Sequence, residues 1–146
     1  NWTEVNDLNE ARYALGGNGT SSTSALAVGG NPNPGYSVNT EEWNGTNWTE
    51  VNNLNTGRHG LGCAGNNTEA MIAVGGVVPG GKSGATEEWN GTNWTEVADL
   101  ATARSNGGAS GSSTAGLFFA GNEPAKSGKT EEWNSPGTIT KTVSTD

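Results

Sequence analysis

The sequence predicts an all-β protein built from three copies of one four-stranded unit. The segment TEEWNGTNWTEV fills residues 40–51 and returns unchanged at residues 86–97, a spacing of 46 residues. Apolar pieces of four to seven residues alternate with Gly, Asn and Pro, which is the length of a strand and the chemistry of a turn. No window of eleven or more residues carries apolar positions at helical spacing, so we expect essentially no helix.

The same period relates single residues along the chain. It separates three tryptophans, Trp2, Trp48 and Trp94, and three arginines, Arg12, Arg58 and Arg104. Each unit contains an Arg-led stretch of small residues, an apolar run, a loop rich in Gly and Pro, and a TEEW segment, and the first two units end in NWTEV. We therefore expect one domain over residues 1–146, with an outer strand at 1–8 and units at about 10–54, 56–100 and 102–144.

Tandem four-stranded units of about 45 residues are typical of a β-propeller, in which neighbouring blades pack face to face around an axis. The order of Arg, an apolar strand ending in Gly-Gly, an aromatic residue and a second Trp resembles the kelch repeat, up to about residue 134. The chain departs from that family in the shorter spacing to the outer Trp, and in having Trp43, Trp89 and Trp133 where the family usually has Tyr. The resemblance implies three kelch-like blades of a divergent, phage-like branch.

The repeated glycines and tryptophans are interpreted as turn and packing residues. Gly-Gly at Gly29 and Gly75 permits positive φ and a close approach of backbone. Asn-Gly at Asn44 and Asn90 is a strong hairpin signal between the third and outer strands. We expect the six tryptophans to pack blade against blade, with a sugar-stacking platform as the alternative.

Three Glu-Glu pairs, at residues 41–42, 87–88 and 131–132, invite comparison with the acid and base of an enzyme. Adjacent residues of a strand point to opposite faces, so the two carboxylates of a pair cannot share one site. We expect instead that one Glu of each pair meets a repeated Arg across a blade boundary. The arginines are Arg12, Arg58 and Arg104.

Composition disfavours two classes of partner. A net charge of −8 with only seven Lys and Arg residues argues against a surface for nucleic acid or anionic membrane, since both require basic patches. The longest mostly apolar run, residues 70–78, is far shorter than the roughly 20 residues of a membrane helix. The abundance of Gly, Ser, Thr and Asn, together with the resemblance to phage-like kelch repeats, suggests that the protein belongs to a virion or is extracellular. The sequence does not otherwise indicate its location.

Candidate catalytic residues are few. His59 is the single histidine, and no Ser or Cys nucleophile with an orienting acid stands beside it. Copper chemistry like that of galactose oxidase would need paired Tyr and His ligands. The single cysteine, Cys63, occupies a position where the other units have Gly17 and Ala109, so we interpret it as an inert buried thiol. We therefore expect a protein that is not an enzyme, with no metal and no cofactor.

Three blades are too few for a closed ring, since propellers generally use four to eight. We expect two chains to complete six blades as a homodimer, with residues 1–5 adding the outer strand to the third blade of the partner chain. The third unit invites this, because it has NSPG at residues 134–137 and Ile139 where Trp48 stands in the first unit. The alternatives are closure by residues 138–143, nine blades from a trimer, or an excerpt of a longer propeller.

A ligand surface is expected where the units differ most. The residue after each repeated Arg is Tyr13, His59 or Ser105, and the loops after the second strand also vary. Both lie at one edge of an antiparallel blade, so we expect a protein or glycan to bind there, with Tyr36 and Lys82 contributing. The alternatives are drift in unconstrained loops, a fragment of a phage tail or surface adhesin with no activity of its own, and a metal enzyme.

Overall fold

A computed structural model describes residues 1–135, and this part of the chain is all-β without a helix. Its first sheet is antiparallel, and its strands follow one another in chain order. The strands are β1 (Gly16–Ser21), β2 (Ser24–Val28), β3 (Thr40–Trp43) and β4 (Trp48–Val51). Between β3 and β4, Trp43 lies opposite Trp48 and Thr40 lies opposite Val51.

The second sheet repeats the first, with a short ribbon inserted in its long loop. Its strands in chain order are β5 (Gly62–Asn67), β6 (Ala70–Val74), the ribbon β7 (Val77–Val78) and β8 (Gly81–Lys82), then β9 (Thr86–Trp89) and β10 (Trp94–Val97). The order across the sheet is β5, β6, β9, β10, so the prediction of a four-stranded unit is confirmed for the first two units.

The third sheet has three strands among the described residues. The elements are β11 (Gly108–Gly111), β12 (Ala115–Phe119), the ribbon β13 (Asn122–Glu123) and β14 (Ala125–Lys126), and β15 (Thr130–Asn134). The predicted fourth strand, with Ile139 and residues 138–143, lies outside the described residues. Residues 1–8 form no strand within this chain. The prediction that they pair with a partner chain stays a prediction.

The Gly-Gly pairs mark close approaches between successive units. Gly29 and Gly30 have φ of 60° and 110°, a region that side chains rarely adopt. A Cβ on Gly29 would lie 2.6 Å from the carbonyl oxygen of Arg58, in the next unit. The N–H of Gly30 donates to that same oxygen at 2.8 Å. Glycine is therefore required at this place for the reason predicted.

The turn between β3 and β4 differs from a two-residue Asn-Gly hairpin. It is four residues long, 44–47, and Gly45 has φ of 92°. The Oδ1 atom of Asn44 accepts the N–H groups of Thr46 and Asn47, both at 2.9 Å. The Asn side chain thus closes the loop itself, which is the usual behaviour of Asn in turns.

Two apolar cores lie between successive sheets. The first core combines Leu26 and Val28 of the first sheet with Met71 and Trp94 of the second. The second core combines Ile72 and Val74 of the second sheet with Phe118 of the third. Stacked four-stranded sheets of this kind are compatible with blade-like β structure, and no sheet closes on itself within the described residues.

Candidate functional site

The residue after each repeated Arg pairs with the loop that follows the second strand. The N–H of Tyr13 donates to the carbonyl of Asn31 at 3.1 Å, and the N–H of Asn31 donates back at 2.8 Å. The same paired bonds join His59 to Val77 and Ser105 to Asn122. The variable residues of each unit therefore lie at the same end of its strands, as the antiparallel order predicts.

Tyr36 and His59 meet at the junction of the first and second units. Their ring centroids are 5.4 Å apart and their planes differ by 17°, so the rings are stacked. The backbone fixes this contact, because the N–H of Arg58 donates to the carbonyl of Ser37 at 3.1 Å. The chain segments that carry the two rings are thus tied together next to the stack.

Tyr13 and Lys82 lie at the same end of the sheets as the stacked rings of Tyr36 and His59. Tyr13 is 57% exposed and Tyr36 is 38% exposed. Lys82 is exposed in β8 opposite Val77, which in turn pairs with His59. We call Tyr13, Tyr36, His59 and Lys82 the loop surface. It offers aromatic rings and one ammonium group, and these suit contacts with a sugar ring or a peptide side chain.

Ser105, the fifth predicted binding residue, has a different environment. Its residue surface is only 1% exposed, and its Oγ atom is 3.4 Å from the side-chain amide nitrogen of Asn106. We leave Ser105 out of the loop surface because its side chain is covered by the protein.

Each repeated Arg forms an ion pair inside the protein. Arg12 Nη1 lies 2.9 Å from Glu41 Oε1, Arg104 Nη2 lies 3.0 Å from Glu131 Oε1, and Arg58 pairs with Glu87. The arginine side chains are fully buried. These contacts join an Arg to the first Glu of the TEEW segment.

The prediction that these pairs cross a unit boundary is wrong. Both partners belong to the same unit in every case, because the third strand presents its first Glu toward the Arg that opens that unit. The backbone of the Arg provides the contact between units, since the carbonyl of Arg58 accepts from Gly30 at 2.8 Å and the carbonyl of Arg104 accepts from Gly76 at 3.0 Å.

The tryptophans of TEEW lie beside those of NWTEV. Trp43 and Trp48 have ring centroids 5.3 Å apart, and so do Trp89 and Trp94. The indole N–H groups of Trp43, Trp89 and Trp133 each donate to a backbone carbonyl of their own unit, at 2.8–2.9 Å.

The indole of Trp94 forms a hydrogen bond with the preceding unit. Trp94 Nε1 donates to Thr40 Oγ1 of the first sheet at 3.0 Å, and Trp94 is 6% exposed. Trp48, its equivalent in the first unit, is half-buried, and Trp2 is fully exposed. The three copies of one motif thus occupy three different environments.

Sequence reasoning missed a second contact between units. The Nδ2 atom of Asn52 donates to Asn93 Oδ1 and to the carbonyl of Thr92, both at 2.9 Å. Asn6 makes the same two bonds to Asn47 and Thr46, at 2.8 and 2.9 Å. The 46-residue spacing of Asn6 and Asn52 was the available signal.

Cys63 contacts the core between the first and second sheets. Burial raises the pKa of its thiol to about 12, against a smaller opposing effect of the Arg58 charge. The thiol is therefore protonated near neutral pH, where a nucleophilic cysteine would need to be a thiolate.

The described residues contain no group of three or more His, Cys, Asp and Glu residues arranged to hold a metal ion. Residues 1–135 also include no helix with the length and apolarity that a membrane span requires. A scan of the chain against protein-family models finds no matching family, and a search of curated proteins finds no match.

Proposed function

We propose that this chain is a non-enzymatic scaffold, a kelch-like propeller that contributes three blades and completes a six-bladed ring with a second copy. The ring holds the loop surface rigid and presents it to a protein or glycan ligand. The proposal rests chiefly on a contrast between two equivalent strands, β6 and β12.

Strand β6 is covered on both faces, and β12 is covered on one. Ile72 and Val74 of β6 are 1% and 3% exposed, whereas the β12 residues at the same register positions, Leu117 and Phe119, are 44% and 40% exposed. A sheet with an uncovered apolar face is the kind of surface that marks an association site. A further blade-like sheet is the natural cover, because the first and second sheets already cover each other in this way.

The solution mass tests the ring directly. We expect light scattering to give twice the 14.9 kDa mass of the chain. A mass that stays at 14.9 kDa through the micromolar range would contradict self-assembly, and three times that mass would favour a ring of nine blades.

Deletion of residues 1–8 tests how the ring closes. We expect this variant to be monomeric or aggregated, because it removes Trp2 and the segment that follows it. The matched control ends the chain after residue 135, and we expect it to remain a dimer. If the results are reversed, residues 138–143 close the ring instead.

The loop surface is tested by a glycan array and then by chemical-shift mapping of any ligand found. We expect the perturbed amides to lie around Tyr36, His59 and Lys82. Perturbations confined to the turns at Asn44 and Asn90 would place binding at the opposite end of the strands. Removal of the Tyr36 ring, with Asn44→Ala as control, should weaken binding about tenfold or more.

A further inference from the structure

We propose that the third sheet holds a slot for Trp2 of a second copy, and that residues 2–5 of that copy pair with β15 in one defined register. This inference rests on the proposed ring and adds to it the strand, the register and the side chain that close it.

The second unit shows how such a slot is filled. Trp94 packs beside Trp89, with 5.3 Å between their ring centroids, and donates to Thr40 Oγ1 of the preceding sheet. The rest of its core comes from Leu26 and Val28 of the first sheet, Leu54 in the segment after β4, and Met71 of the second sheet.

An equivalent set of side chains lines a cavity between the second and third sheets. Thr86 stands where Thr40 stands one unit earlier, and Trp133 stands where Trp89 stands. Ile72, Val74 and Leu100 line it as Leu26, Val28 and Leu54 line the first junction, and Leu117 adds to its apolar wall. The cavity therefore has both elements that Trp94 uses, a neighbouring indole and a hydroxyl acceptor. We call it the tryptophan slot.

Residues 1–5 carry the sequence that fills the equivalent slot. NWTEV is identical at residues 1–5, 47–51 and 93–97. Trp2 is fully exposed and Val5 is 63% exposed. Large apolar side chains on an otherwise polar segment are typical of a segment that associates.

Residues 6–9, which follow this segment, bind to the first sheet in the way that residues 52–55 of the first unit bind to the second sheet. Asn9 donates to Glu41 Oε2 through its N–H at 2.7 Å, as Asn55 does to Glu87 at 2.8 Å. Asn6 likewise repeats the bonds of Asn52. Residues 6–9 therefore lie against the first sheet as residues 52–55 lie against the second, and this directs Trp2–Val5 toward whatever sheet covers the first.

Strand β15 offers an edge to receive that segment. Among the described residues it pairs only with β12. Thr130 is exposed, although Thr40 and Thr86 in the other units are buried. Glu131 is 23% exposed in its side chain, against 1% for Glu41 and Glu87.

The register follows from β3 and β4. Trp43 faces Trp48 and Thr40 faces Val51 there. The same pairing on β15 places Trp2 of the second copy opposite Trp133, Thr3 opposite Glu132 and Val5 opposite Thr130. A slip of one residue would turn Trp2 away from the slot, because side chains alternate between the two faces of a sheet.

Paired cysteines test the register. In a Cys63→Ala background, Thr3→Cys with Glu132→Cys places two thiols opposite each other, and Glu4→Cys with Glu132→Cys is the control for a one-residue slip. We expect oxidation to convert most of the first variant into a covalent dimer on a non-reducing gel and to leave the control largely uncrosslinked. Equal crosslinking of both variants would overturn the register.

The same samples separate this inference from the ring itself. If both variants have the mass of a dimer but neither crosslinks, the ring stands and residues 2–5 are not its closing strand. If the thiols join within one chain, the second copy is the wrong occupant. If light scattering gives a monomer, the proposed ring fails as well.

A single substitution provides a test that does not depend on cysteine chemistry. We expect Trp2→Ala to raise the dissociation constant of the dimer at least about 30-fold, the size of an interface hot spot. Trp2 is exposed in the single chain, so the folded monomer is expected to persist. Thr3→Ala is the matched control and is expected to leave the dimer unchanged. An unchanged dimer with Trp2→Ala would exclude the tryptophan slot.

Discussion

Two regions of the molecule have the same residue types but different cover. One is the junction of the first and second sheets, and the other is the outer face of the third sheet. At the junction, Trp94 is 6% exposed and bonded to Thr40. On the outer face of the third sheet, Leu117 and Phe119 face solvent, although their equivalents in the second sheet, Ile72 and Val74, are buried. The difference shows that burial of a repeated motif is decided by the neighbouring unit and not by the motif.

Loss of Glu87 is expected to have the largest effect on folding. Glu87→Ala leaves the buried charge of Arg58 without its partner, so we expect a loss of about 3–5 kcal/mol in the free energy of unfolding, measured by urea denaturation. Glu131→Ala, the equivalent change in the third sheet, should cost less because the Glu131 side chain is already 23% exposed. Equal losses at low protein concentration would show that the two regions do not differ as described.

The two outer tryptophans sharpen the comparison. Trp94→Ala should cost about 3–5 kcal/mol, since it empties a packed site, and Trp48→Ala should cost less because Trp48 is half-buried. In the proposed ring Trp48 gains a covering sheet, so the two losses should converge as protein concentration rises. A gap that does not change with concentration would count against the ring.

The hydroxyl acceptor of the slot gives a smaller effect. Thr40→Val removes the bond from Trp94, and we expect a loss of about 1 kcal/mol in stability. Thr86→Val should leave the monomer unchanged and weaken the dimer about fivefold, since Trp2 of the second copy would lose its acceptor. Concentration-dependent light scattering on both variants separates these outcomes. A Thr86→Val dimer as tight as wild type would remove Thr86 from the slot.

The smallest effect concerns the thiol at the covered junction. With a pKa of about 12, Cys63 stays protonated at pH 8, so an aromatic disulfide reagent should react slowly with the folded protein and rapidly in denaturant. Because the unfolded thiol ionises at a lower pH, stability should be unaffected below about pH 8.5 and fall as pH rises toward 12. Rapid labelling of native protein at pH 8 would show that the junction opens.

Much of the fold was predictable because the repeat recurs at fixed spacing. The period located the strands of the first two sheets, the Gly-Gly approaches and the edge that carries Tyr13 and His59. The stack of Tyr36 on His59 was not predicted as a contact, since it depends on where the loop of one unit meets the next. That each Arg–Glu pair lies within one unit was also missed. Strand alternation places the two adjacent carboxylates on opposite faces, but it does not indicate which unit's Arg each carboxylate meets.

The sequence by itself determined the all-β class, the four-stranded unit and its turns, because these depend on residue type and short-range periodicity. It also placed the candidate ligand residues at one edge, through antiparallel order alone. Only the tertiary structure decided which copies of an identical motif are buried, since Trp2, Trp48 and Trp94 share their neighbours in sequence but not in space. Burial is a property of packing between sheets, and packing brings together residues that no local pattern relates.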